Sequence, residues 1–135
     1  MRATNTFYAL GVLRIITALL FIEHGTQKLF GFPASAHGPV ALLSLMGLAG
    51  ILEALGGLLV LTGFKTRYVA FILSGEMAVA YWTAHAPRSF FPVDNGGDAA
   101  ILFCFVFLFF VFAGAGAWSL DGRSASPREI GLPAE

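Results

Sequence analysis

Hydrophobic positions along this chain gather into four long runs, about 7–30, 40–63, 68–86 and 98–120. Each approaches the roughly 20 residues that a helix needs to cross about 30 Å of hydrocarbon. None shows the period-2 alternation of a membrane barrel strand. The separators carry turn chemistry: "GFPASAHGP" and "PRSFFPVDNGGD" are rich in proline and glycine, and "TGFKTR" places Gly63 where a helix should stop. The pattern predicts an all-α protein, a four-transmembrane-helix antiparallel bundle. Its first run is longer than the apolar core of a signal peptide, holds Arg14, and reaches Lys28 with no small-residue cleavage site, so it reads as a retained span. Beyond Leu120 the chain turns polar, and residues 121–135 are expected to form a flexible tail.

Composition names the solvent. The 135 residues are 57% hydrophobic and 12% charged, against about 25% charged in soluble domains. Mean hydropathy is +0.78, leaving too little polar surface to cover a water-soluble globule of this size. Net charge is zero and no basic run exists, which argues against a nucleic-acid partner. The single cysteine, Cys104, excludes an intrachain disulfide and any CxxC motif, and reads as a small apolar filler. Basic residues set the direction: Arg2, Lys65, Arg67, Arg123 and Arg128 fall on one side of a four-span topology, against Arg88 and the span-end Lys28 on the other. Both termini are therefore expected in the cytoplasm.

Ionisable residues inside apolar runs are the candidate chemistry, because each is expensive in hydrocarbon unless paired. At about 1.5 Å of rise per residue, Arg14, Glu53 and Glu76 lie roughly 10, 14 and 12 Å from the cytoplasmic ends of their spans. Three helices thus offer an arginine and two glutamates at one level, and ion pairing of Arg14 with the glutamates is expected. A second layer near the outer face holds Glu23, His24, Lys28, His85 and Asp98. At about 100° per residue, Arg14, Thr17, Phe21, His24, Gly25 and Lys28 share one stripe of the first helix, with Glu23 opposite. Ile72 lies on the Glu76 face of the third. These positions define an expected ligand pocket: Arg14, Phe21, His24, Lys28, Glu53, Ile72, Glu76 and His85. The competing reading is a purely structural lock that fixes helix register. No HxxxH or HxxE spacing supports a metal at the histidines, and no catalytic residue set is apparent.

The stretches that carry these residues resemble the DoxX family of small bacterial membrane proteins. "RIITALLFIEHGTQKLFGF", with its R…HG..KLFG skeleton, is followed in family order by "EALGGLLVLTGFKTR", "GEMAVAYWTAH" and "NGGDAAILFCFVFLFF…GAGAWSLD". The resemblance implies a four-helix protein of the bacterial inner membrane, and carries over onto Arg14, His24, Gly25, Lys28, Glu53, Gly57, Gly63, Glu76 and Asp121. Related DoxD-type chains belong to a thiosulfate:quinone oxidoreductase, so a redox-associated, quinone-linked subunit is one expected function. The chain lacks haem ligands and a flavin fingerprint, so no cofactor is intrinsic, quinone is the ligand implied, and catalysis by this chain alone is not expected. The alternative is a non-catalytic scaffold, or a lipid- or partner-binding protein. Implied partners are the lipid bilayer, a redox partner protein, or a second copy in a homo-oligomer. A transporter ranks third, since neither inverted repeats nor broken helices show.

Overall fold

The computed structural model describes residues 2–35 and 38–124, and among them every regular element is helical. Helix α1 spans Arg2–Phe30, α2 Leu45–Thr62 and α3 Thr66–Ala80, with a π-helical turn at Tyr81–His85 continuing α3. A single turn, α4, covers Pro92–Asn95; α5 spans Asp98–Ala113 and α6 Leu120–Ser124. Two helices, α1 from Thr4 and α2, are long and apolar enough to cross a membrane, and α5 is a shorter apolar helix.

Local chemistry sets these boundaries, and they differ from the hydrophobic runs. The second run begins at 40, but α2 starts at Leu45 because the Ser44 hydroxyl accepts the Gly47 N–H at 3.0 Å and caps the helix there. Its end falls at Gly63, whose φ of 66° closes the helix with the Phe64 N–H on the Leu59 carbonyl. The fourth run was expected to stay helical to Leu120. It stops at Ala113, because Gly114 takes φ 84° and ψ −160°, a conformation open to glycine alone. Residues 114–119 then turn back against α1, where the Ala117 N–H donates to the Phe7 carbonyl at 3.1 Å. Of the residues expected in a loose tail, 121–124 instead belong to α6, Leu120–Ser124. The rest of that expectation, 125–135, lies outside the described residues.

Helix α1 packs along α2 and α3 along α5, and the two pairs meet through α2–α3 and α1–α5 contacts. Antiparallel α1 and α2 approach closely at Gly25, where a Cβ would stand 2.5 Å from the Ala54 backbone nitrogen. The core is aromatic: Phe21 meets Phe107 edge-on at 4.7 Å and Phe103 at 5.2 Å, with Val60, Leu73 and Phe110 filling around them. Burial is inverted relative to a soluble protein. Arg14 and Glu53 are 0% and 2% exposed, whereas Tyr68, Phe71, Trp82 and Phe112 are each two-thirds exposed or more. An outer surface of this kind needs an apolar solvent.

Candidate functional site

Arg14 lies fully buried at one end of the molecule. All five of its N–H donors are used, every one on a backbone carbonyl. Nε donates to Ala115 at 2.7 Å, Nη1 to Val60 at 2.7 Å and to Leu61, and Nη2 to Ala117 and Trp118 at 2.9 Å each. Val60 and Leu61 belong to the last turn of α2, where carbonyls lack helical N–H partners; Val60 also takes the Gly63 N–H at 3.0 Å. Residues 115, 117 and 118 lie in the irregular segment after α5. Non-helical backbone buried in an apolar protein must find partners, and this one guanidinium serves both needs. Gly63 makes the room: a Cβ there would fall 2.3 Å from the Ser119 Cβ and 3.3 Å from the Arg14 Cζ.

The expected pairing of Arg14 with Glu53 and Glu76 is therefore overturned. Arg14 sits level with residues 60 and 61 of α2, eight residues past Glu53, or about 12 Å along the axis. Counting depth from the ends of the apolar runs failed because α1 begins at Arg2 and overhangs the end of α2. The partner of Glu53 is Lys28, whose ammonium contacts Oε1.

Lys28 and Glu53 border a cavity of about 510 Å³, within the range of small-molecule pockets. Seven of the expected pocket residues line it: Phe21, His24 and Lys28 from α1, Glu53 from α2, Ile72 and Glu76 from α3, and His85 from the π-helical turn. Arg14 does not. Apolar walls come from Met46, Leu52, Met77, Ala100 and Phe103, and His24 meets the Phe103 ring edge-on at 5.8 Å. Glu53 Oε2 and both Glu76 oxygens are buried with no donor among the described residues. Glu76 also lies within electrostatic reach of Glu53 and Lys28. His85 Nδ1 is 3.1 Å from the Asn95 carbonyl, which only accepts, so Nδ1–H is the donor there.

Three structural features were missed in the sequence. Asp121 was noted only as part of the family pattern. Its carboxylate accepts the Lys65 and Thr66 N–H groups at 2.7 and 2.8 Å, capping α3, whose own N-cap side chain makes no such bond. Arg67 donates to the Val111 and Phe112 carbonyls at 2.7 Å, closing the end of α5. The third is Asn95, three residues before Asp98, the spacing of a helix-start capping pair. Instead it is buried, donates to the Ser89 carbonyl at 2.9 Å, and accepts the Gly97 N–H at 2.8 Å. The glycine-rich "AGAGA" followed by "WSLD" was the available signal for the first two, because such a sequence cannot continue a stable helix.

An all-helical, lipid-facing chain with an apolar cavity that carries buried carboxyl groups is the class defined so far. Residues 9–86 match the DoxX family, and the chain belongs to it. An uncharacterized protein of Haemophilus influenzae is 45% identical over 121 residues, covering 86% of this chain and 90% of that one. No solved structure matches.

Proposed function

We propose that this DoxX membrane protein crosses the bacterial inner membrane four times with both termini cytoplasmic, and holds an amphipathic ring of the quinone class in its cavity. It would serve as a binding subunit of a redox assembly and not as a catalyst by itself. The observation that carries the reading is a ligand-sized apolar cavity with buried carboxyl oxygens at its wall that no donor among the described residues satisfies. Buried polar groups without partners cost about 1–3 kcal/mol each, so a site that keeps them has a use for them. The four-span reading also suits α5: 16 residues reach about 24 Å, and the tucked segment 114–119, satisfied by Arg14, fills the remaining depth.

A structural reading is favoured for Arg14 alone. Its five carbonyl bonds leave no donor for a ligand, which supports a role in fixing helix ends. Extraction of the protein in mild detergent, followed by solvent analysis of bound lipids and titration with a short-tailed quinone, tests the binding role. Retention or saturable uptake is expected. Failure to retain or take up any quinone or hydroquinone would end it.

A further inference from the structure

The polar wall of the cavity is unbalanced in a way that selects the head group of its occupant. Among the described residues, unserved acceptors accumulate on one side: Glu53 Oε2, Glu76 Oε1 and Glu76 Oε2. Glu53 is 2% exposed, so solvent reaches it poorly. No donor among the described residues reaches these three oxygens. The Thr83 hydroxyl gives its proton to the Val79 carbonyl at 2.7 Å, His85 Nδ1–H is held by the Asn95 carbonyl at 3.1 Å, and the Lys28 ammonium contacts Glu53 Oε1. In an apolar cavity those unserved oxygens call for hydrogen-bond donors from the ligand.

We infer that the cavity recognises an amphipathic molecule by a donating head group, hydroxyl or ammonium, laid against Glu76 and Glu53, with its apolar body along Phe21, Ile72 and Phe103. Carbonyl and anionic head groups are disfavoured there, since they would set acceptor against acceptor. Entry lies between α2 and α3. Ile72 is 54% exposed at that edge, and a Cβ on the cavity-lining Gly75 would meet nothing within 4 Å. This inference rests on the cavity being a ligand site, and it goes further by stating which form of a ring or amine the site prefers.

Its test uses the full chain in detergent micelles and two matched pairs of probes: decylhydroquinone (kept reduced without oxygen) against decylquinone, and decylammonium against decylsulfonate. The donor-bearing member of a pair should bind about tenfold tighter or more, the scale of one well-made hydrogen bond to a charged group. The isosteric Glu76→Gln variant should bring that ratio close to one, because its amide both donates and accepts. Preference in one pair alone would name the donor as hydroxyl or as ammonium. Quinone bound as tightly as hydroquinone, together with sulfonate bound as tightly as ammonium, would overturn the head-group assignment and leave the cavity reading standing. Binding of none of the four would remove both.

Discussion

At the scale of the residue, the chain spends its two most buried charges in opposite ways. Arg14 makes five bonds to carbonyls, whereas Glu53 has one partner and one bare oxygen. Lysine carries three donors on one nitrogen and cannot span a planar five-point fan. Arg14→Lys should leave at least one carbonyl unserved, since Val60 keeps the Gly63 N–H, and cost about 1–3 kcal/mol for each orphaned group. Thermal unfolding in detergent reads this directly, and a variant as stable as the parent would show that the fan is dispensable. Removing Lys28 strands Glu53 in an apolar wall. Lys28→Met should cost about 3–5 kcal/mol, and adding Glu53→Gln should recover much of it. A double variant no more stable than the single one would deny that the two side chains depend on each other.

At the scale of the element, caps and close approaches decide where helices lie. Asp121 caps α3 from the far end of the chain, so Asp121→Ala should cost about 1–2 kcal/mol. Faster amide hydrogen exchange at Lys65 and Thr66 is the expected sign, and unchanged protection there would rule the cap out. Two glycines offer a matched contrast. At Gly25 a methyl group meets the α2 backbone, whereas at Gly75 it meets open space. Gly25→Ala should destabilise by about 1–3 kcal/mol through forced separation of α1 and α2. Gly75→Ala should stay within about 0.5 kcal/mol. Equal effects in the same unfolding assay would contradict this α1–α2 packing.

Helices were legible in the sequence because hydropathy is a local property summed over many residues. Gly63 as a stop was legible too, since only one residue type suits that turn. Phe21, Lys28, Glu53, Ile72 and Glu76 border one cavity, and helical angle, a property of spacing, is what groups such positions along a helix. Axial register was not legible. It depends on how α1 slides along α2, which Gly25 and Gly57 set against Ala54 and Ile22, and no count along one helix reports it. That is why Arg14 was assigned to the carboxylates. The break at Gly114 was signalled by its glycines, but the path of the returning segment was not, since an apolar run does not report which helix it folds back upon.

At the scale of the whole molecule, polar groups divide into two ends with different work. One end, built on Arg14, Asp121 and Arg67, closes helix termini and the returning segment 114–119. The other, built on Lys28, Glu53, Glu76 and His85, borders the cavity. Four crossings would place Arg2 and Lys65 on the same side of the membrane. Cysteines introduced there should be labelled together by an impermeant reagent from the cytoplasmic face, and labelling from opposite faces would refute that topology. The division itself is tested most directly by melting the parent, Arg14→Lys and Glu76→Gln with and without decylhydroquinone. Arg14→Lys should melt well below the parent yet keep its ligand-induced rise, and Glu76→Gln should melt near the parent and show a smaller rise. A rise lost in Arg14→Lys and kept in full in Glu76→Gln would contradict the separation of lock from cavity.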